Sequence, residues 1–172
     1  MNCMGKDIKK IDFDTAVSEV RKACIQFADL YFHFAKVLVE ELGEDKAEKL
    51  IEKAIRNRAI ERGERLRQIA IEKGLPLTLE TWRKINDIPF LGWDKSLGKF
   101  HCPYAEGWLR RYEENPWFPR IAKLYCDIND TCVTETFTAG SMTQRITKNV
   151  LCGDDACERE YFPLKKGKRE NE

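Results

Sequence analysis

The chain has 172 residues, enough for one domain with a hydrophobic core. Its 30 basic and 29 acidic residues leave a net charge of +1, which excludes recognition of nucleic acid or an anionic membrane through overall charge. No apolar stretch approaches the ~18 residues that a membrane span needs, and the first residues, "MNCMGKDIKK", lack the apolar core of a secretory signal. We therefore expect a cytoplasmic protein that binds neither nucleic acid nor a membrane.

The cysteines are unevenly distributed along the chain. Five of the seven lie after residue 100, at Cys102, Cys126, Cys132, Cys152 and Cys157. An odd number of cysteines in a reducing cytoplasm is not expected to form structural disulfides. The C-terminal half is therefore where a cysteine-containing site is expected.

The N-terminal half predicts helices. Apolar residues recur every three or four positions after Asp14, which is the expected N-cap, and Gly43 is the expected C-cap. A second helix is predicted to begin at Glu44 and to end at "KGLP", and a third, short one follows a Thr78 cap. Acidic residues interrupt the basic run at residues 56–67 of the second helix, which predicts a solvated face.

The apolar stripe of the first predicted helix indicates its buried face. The residues expected to be buried are Val20, Phe27, Tyr31 and Phe34. Cys24 lies on the same stripe, which is typical of a core cysteine rather than a metal ligand. These helices are therefore expected to cover the site rather than to contribute to its chemistry.

The C-terminal half predicts a mixture of helices and strands. A strand is predicted at "GKFHCP", residues 98–103, and two helices follow, through "YAEGWLRRYEE" and "PRIAKLYCDINDTCVTETF". Residues 141–152 then alternate with a period of two, and a second run follows the "GDD" turn. This pattern predicts an antiparallel hairpin over residues 141–162 that turns at Gly153 to Asp155.

Together these elements predict an α+β fold. N-terminal helices are expected to pack on a small antiparallel sheet, and the chain is expected to end in a C-terminal β-hairpin. We expect one compact domain, with a helical region at residues 1–88, a cysteine-containing α+β core at residues 89–164 and a frayed tail at residues 165–172.

Three cysteines lie where predicted segments begin or end. Cys102 falls between a predicted strand and a proline, Cys126 lies on a helix, and Cys157 follows the tight turn. Residues at such junctions can converge at one end of a small sheet. No CxxC pair indicates a zinc knuckle. The pattern leaves convergence and independent burial both open.

Three segments resemble the signature segments of the L-2-amino-thiazoline-4-carboxylate hydrolase family. They are "FHCPYAEGW", "LYCDINDTC" and "RITKNVLCGDDACEREYF", within residues 98–162. The family has a Cys-Pro segment, a Cys-Asp helix start and a terminal Gly-Asp-Asp-x-Cys hairpin in this order. The resemblance implies a homodimeric hydrolase that acts on a non-peptide C–N bond in a small cyclic amidine- or amide-like substrate.

The hydrolase hypothesis that follows from this resemblance has a set of candidate site residues. For catalysis they are Cys102, Cys126, Asp127, Asp155 and Cys157, and for substrate binding they are His101, Trp108 and Arg145. A cysteine serves as nucleophile when a nearby cation or helix N-terminus lowers its pKa, with His101 or Asp127 as proton carrier. Arg145 can anchor a substrate carboxylate, although its position in the sequence by itself favours a solvated strand residue.

The same segments are also similar to 4-vinyl reductase-type domains, which are small ligand-binding α+β modules. In that comparison Cys126 and Cys157 match two zinc ligands, whereas Asn149 and Ile146 replace a cysteine and an acidic residue. Cys102 could supply a third thiolate instead. The alternative is therefore a sensor-type module, without catalysis, that binds a small ligand or a zinc ion held by these three cysteines.

Overall fold

The structure, a computed structural model, describes residues 10–85, 87–93 and 102–164 and shows helices followed by a hairpin. Its elements are α1 (Phe13–Leu42), α2 (Glu44–Glu72), α3 (Leu79–Ile85), α4 (Pro103–Leu109), α5 (Phe118–Phe137), β1 (Met142–Lys148) and β2 (Glu158–Pro163). Short 3-10 helices lie at Phe90–Trp93 and Val150–Cys152. The predicted α+β class with a C-terminal hairpin is confirmed. None of the helices in the described ranges combines the length and the apolar character that crossing a bilayer requires.

Helices α1 and α2 form an antiparallel pair joined by one residue. The N-cap of α1 is Asp12, whose Oδ2 accepts a hydrogen bond from the Thr15 N–H at 2.8 Å. The predicted Asp14 cap was wrong, because Asp14 already lies inside the first turn. Gly43 ends α1 with a φ of +77°, a conformation that favours glycine, and α2 begins at the predicted Glu44.

The buried face of α1 is rotated by about one residue from the predicted stripe. It includes Val17, Cys24, Ala28, Phe32 and Ala35. Cys24 is therefore a core residue, as predicted, and Val20, Phe27 and Tyr31 are half-buried. Phe34 is 65% exposed, so its predicted burial was wrong. The reason is that α1 contacts both α2 and α4, and the face between these two neighbours centres on small side chains that allow close approach.

Helix α4 is held tightly against α1, and this contact positions the start of α4. A Cβ atom at Gly107 would lie 2.8 Å from the Cβ of Ala28, so glycine allows the two helices to approach closely there. Trp108 donates from Nε1 to the carbonyl oxygen of Ala28 at 2.9 Å. Buried Arg21 on α1 donates to the carbonyl oxygen of Gly92 at 2.6 Å, which fixes the 3-10 helix before α4.

The segment between α2 and α4 begins with α3. Thr78 is the predicted cap of α3, and its hydroxyl oxygen accepts a hydrogen bond from the Thr81 N–H at 3.3 Å. The predicted strand at residues 98–103 lies outside the described residues except for its last two, which start α4. The predicted frayed tail at residues 165–172 also lies outside them.

A hydrophobic cluster joins the two predicted regions of the chain. Its buried residues include Phe32 and Ile55 from the N-terminal region and Trp108, Phe118 and Ile121 from the C-terminal region. A contiguous core of this kind is typical of one compact domain. The division at residue 88 stays a prediction.

Helices α2 and α5 pack directly against each other at Gly63. A Cβ atom at position 63 would lie 2.7 Å from the Cβ of Thr136 and 3.2 Å from the carbonyl oxygen of Val133. Carbon atoms do not approach this closely in a relaxed core, so glycine allows the two backbones to keep this separation. The contact therefore sets the position of α5 relative to α2.

The C-terminal strands form the predicted antiparallel hairpin, with Gln144 opposite Tyr161. The hairpin packs on α5 through β1. The Thr143 hydroxyl donates to Glu135 at 2.6 Å, and the Gln144 side chain donates to the Thr131 hydroxyl at 3.2 Å. Helix α5 therefore contacts both α2 and the hairpin.

The connection between the strands is longer than the predicted turn. It contains the 3-10 helix Val150–Cys152, followed by Gly153 with a φ of +95°. Asp154 closes the connection, because its Oδ2 accepts a hydrogen bond from the backbone N–H of Asn149 at 2.7 Å. The predicted "GDD" turn is the second half of this connection.

Gly63→Ala should destabilise the protein by about 1–2 kcal/mol, because overpacking of α2 on α5 exceeds the ~1 kcal/mol by which alanine favours a helix. Asn57→Ala changes an exposed residue of the same helix and is the matched control. It should leave the free energy of unfolding unchanged or slightly higher. Urea denaturation measures both effects. Equal stability of Gly63→Ala and wild type would contradict the close approach of the two helices.

Candidate functional site

The structure brings three predicted site cysteines to one cavity. Cys102 is the N-cap residue of α4, Cys126 lies on α5, and Cys157 directly precedes β2. All three line a cavity of about 400 Å³. This volume falls within the range of pockets that hold small organic ligands.

Aromatic side chains form much of the cavity wall. They are Trp82, Phe90, Trp93, Tyr104, Tyr125 and Tyr161. Tyr104 meets the ring of Trp93 edge-on at a centroid distance of 5.3 Å and that of Tyr125 at 6.0 Å. Such packing holds the rings in fixed orientations, and a wall of this kind suits a planar ligand.

A chain of polar side chains runs along the cavity wall from α2 to β2. Arg58 on α2 donates from Nη1 to Oδ1 of Asn129 at 2.7 Å, and Nδ2 of Asn129 donates to Oδ1 of Asp130 at 2.9 Å. Asp130 in turn pairs with Arg159 on β2, with 2.5 Å between Oδ2 and Nη2. Asn129 is buried, so its amide needs hydrogen-bond partners within the protein, and these two neighbours provide them. This series of polar contacts links α2, α5 and β2.

The charged groups that line the cavity are unequal in number. Asp87 is held by Arg62, at 2.7 Å between Oδ1 and Nε, and Asp130 by Arg159. Within the described residues no carboxylate pairs with Arg58. The described lining therefore holds three arginines for two carboxylates. This excess of positive charge favours an anionic ligand.

The thiols of Cys126 and Cys102 are protonated at neutral pH. Burial raises the pKa of Cys126 well above its usual value, and the Asp130 carboxylate raises it further. Burial also raises the pKa of Cys102, which outweighs the opposing effect of the N–H groups at the start of α4. The expected cysteine nucleophile requires a lowered pKa. The cavity therefore disfavours both thiolates.

The donors around the cavity are not arranged as a zinc site. In the ranges that the structure describes, no group of three or more histidine, cysteine, aspartate or glutamate side chains could hold a metal ion. Cys157 Sγ instead lies 3.8 Å from Oδ1 of Asn149, in hydrogen-bonding contact. The described residues therefore do not fit a zinc ion held by Cys102, Cys126 and Cys157.

Asp127 and Asp155, both expected in the site, lie away from the cavity. Asp127 pairs with Lys123, one turn earlier on α5. Asp155 is exposed in the strand connection near Lys148, whose pKa is raised by Glu158 first and by Asp155 to a lesser degree. Neither aspartate is among the described residues that line the cavity.

Trp108 and Arg145 also make structural contacts away from the cavity. Trp108 is 1% exposed and donates to the backbone of Ala28. Arg145 pairs across the hairpin with Glu160, at 2.8 Å between Nε and Oε2. Arg145 is thus an exposed strand residue, which is the alternative that its position in the sequence also allowed. His101 lies outside the described residues.

Sequence reasoning missed Arg58, Asp130 and Arg159, although two of them have a periodic signal. Asp130 follows Cys126 by four residues and so shares its face of α5. Arg159 lies two residues after Cys157, and strand alternation places the two side chains on one face. Arg58 falls in the basic run that predicted a solvated face, and no local pattern distinguishes it from its neighbours.

Comparisons with known proteins identify no family or function for the chain. The chain matches no protein-family model, no curated protein and no solved structure. The resemblance to the L-2-amino-thiazoline-4-carboxylate hydrolase family therefore stays a prediction. The function has to be inferred from the cavity itself.

Asp130→Asn should lower the pKa of Cys126, because it removes a negative charge that disfavours the thiolate. Alkylation of Cys126 at mildly alkaline pH should become roughly threefold faster or more, since the fraction of thiolate rises. Asp127→Asn, one helix position from Cys126, is the matched control and should not change the rate. Iodoacetamide labelling read out residue by residue by mass spectrometry measures all three proteins. Identical rates in wild type and Asp130→Asn would refute the electrostatic contact.

Proposed function

We propose that the protein binds a small carboxylate with a planar ring in the cysteine-lined cavity. The observation that carries the proposal is Arg58, whose guanidinium lines the cavity without a carboxylate partner among the described residues. A guanidinium has five N–H donors, of which Asn129 engages one. No other described side chain is hydrogen-bonded to the remaining donors, and arginine binds a carboxylate in a bidentate geometry.

The tyrosines around Arg58 support a ligand without adding charge. Burial raises the pKa of Tyr125 to about 12, and burial likewise raises the pKa of Tyr104. Both hydroxyls therefore stay protonated at physiological pH, and the hydroxyl of Tyr104 hydrogen-bonds with the Cys24 thiol. The guanidinium of Arg58 lies 5.9 Å from the ring centroid of Tyr125, a cation–π distance that orients it.

The protonated thiols extend this uncharged wall. Thiols are polarisable, and they pack against apolar and aromatic groups. A protonated thiol is a weak nucleophile, so ligand binding is supported better than cysteine catalysis. The cytoplasmic location, expected because the sequence shows no membrane span and no secretory signal, belongs to the same proposal, and a reducing compartment keeps thiols free. The six cysteines within the described residues are free.

Benzoate should bind in the cavity, and benzamide should bind at least about tenfold more weakly because it cannot form a charge-assisted pair with Arg58. Isothermal titration calorimetry measures the two dissociation constants. Bound benzoate should also slow the alkylation of Cys126 and Cys102. Alkylation of Cys152, which is exposed and lies outside the cavity lining, should not change and serves as an internal control.

Two variants separate the role of Arg58 from a general effect of charge. Arg58→Gln should reduce benzoate affinity to the level of benzamide. Lys53→Gln removes the same charge from an exposed position of α2 that does not line the cavity, and it should retain wild-type affinity. Wild-type affinity in Arg58→Gln, or equal alkylation rates with and without benzoate, would show that the proposal is wrong.

Hydrolysis of a C–N bond in the bound ligand is a second candidate function. It is favoured by the carboxylate of Asp130, which lies in the cavity wall beside the thiols. Asp130 would take a proton from a water that attacks the ring carbon, and it would pass this proton to the ring nitrogen as the C–N bond breaks.

The hydrolase candidate is tested with L-2-amino-thiazoline-4-carboxylate, the compound that names the family. Ring opening followed by NMR should occur with wild type and with Asp127→Asn. It should slow by about a hundredfold or more in Asp130→Asn, because the general base is removed. No turnover by wild type would exclude hydrolysis of this compound and would leave ligand binding as the proposed function.

A further inference from the structure

A second cavity lies beside the first, in the groove between α1 and α2. Its volume is about 390 Å³ and most of its lining is apolar. The lining includes Phe27, Leu30, Phe34, Leu38, Leu50 and Ile55. Leu30 and Phe34 are more than half exposed. Exposed apolar side chains that are grouped in one groove are typical of a binding surface.

Arg58 lies at the edge of the apolar groove. Arg58 is the one charged side chain among the described residues that line the groove. Arg58 and Tyr125 also line the cysteine-lined cavity, so the two cavities adjoin at these side chains. A ligand can therefore place a carboxylate at Arg58 and extend an apolar chain between α1 and α2.

From this juxtaposition we infer that the groove binds the alkyl chain of a medium-chain monocarboxylate whose carboxylate pairs with Arg58. The inference rests on the proposed function, because both use the guanidinium of Arg58. It extends the ligand class from small ring carboxylates to alkyl carboxylates, which use the groove instead of the aromatic cavity for their apolar part.

The geometry of α2 sets the length of the alkyl chain that fits the groove. Leu50 and Arg58 both line the groove and are eight residues apart, which is about 12 Å along a helix. The extended chain of decanoate is of comparable length. Leu50 lies on the first half of α2, near the connection at Gly43. The alkyl chain of the ligand would therefore run from Arg58 towards the α1–α2 connection.

The charge of Arg58 favours this occupant over a second copy of the chain. A second copy seated on the groove would cover the apolar side chains and would also desolvate the adjoining guanidinium, which has no carboxylate partner among the described residues. Burial of an unpaired charge is costly. A monocarboxylate covers the apolar side chains and also neutralises the charge.

Isothermal titration calorimetry with decanoate, butyrate and decanol tests the inference. Decanoate should bind at least about tenfold more tightly than butyrate, because its chain buries apolar surface in the groove. Decanol should bind at least about tenfold more weakly than decanoate, because it lacks the carboxylate. Equal affinities for decanoate and butyrate would overturn the inference, whereas benzoate binding reports separately on the proposed function.

A variant that fills the groove tests where the alkyl chain of the ligand binds. Ala54→Phe places a ring in the groove and should weaken decanoate binding by about tenfold while benzoate binding stays the same. Ile60→Phe adds a ring to the same helix at a position that lines neither cavity, and it should change neither affinity. Circular dichroism checks that both variants are folded.

Two results with these variants would overturn the inference. One is unchanged decanoate affinity in folded Ala54→Phe. The other is a wild-type protein that does not bind decanoate but forms a dimer that Ala54→Phe dissociates. In that case the groove would belong to the homodimer expected from the family resemblance. Sedimentation velocity measures the oligomeric state.

Discussion

The close packing of α2 against α5 at Gly63 is the constraint on which the cavity depends. Because a Cβ atom at position 63 would collide with Thr136, the two backbones keep a separation that glycine allows. Little more than one turn earlier on α2, this approach brings Arg58 within hydrogen-bonding distance of Asn129. A wider separation would break that contact and would leave the buried amide of Asn129 with an unpaired oxygen, which is destabilising.

The network of polar contacts continues from α5 into the hairpin. Asp130 follows Asn129 on the helix and pairs with Arg159 on β2. The alternation that turns Arg159 towards the cavity also turns Cys157 and Tyr161 towards it. One ion pair between α5 and β2 therefore helps to position three cavity residues. The cavity is assembled from segments that are distant in sequence because α5 contacts both α2 and the hairpin.

Local periodicity predicted most of the helices and the hairpin, because these elements depend on near neighbours in sequence. It could not predict the rotation of α1, since helices packed on two sides of α1 decide which face is buried and leave Phe34 exposed. Arg145 and Arg159 both lie on strands that alternate in sequence, but the register pairs Arg145 with Glu160 and Arg159 with Ile146, which places the two arginines on opposite faces of the hairpin. Arg58 reaches Asn129 across 71 positions, a contact that no local pattern carries.

The amide at position 129 explains how the cavity retains a charge that the described residues do not neutralise. Its Oδ1 accepts from Arg58 and its Nδ2 donates to Asp130, so it orients both charged groups without a charge of its own. A carboxylate at this position would neutralise Arg58 and repel Asp130. Because the amide is neutral, Asp130 stays paired with Arg159, and Arg58 has no carboxylate partner among the described residues. Asn129 thus joins the ion pair that links α5 to β2 with the guanidinium on which the proposed ligand binding depends.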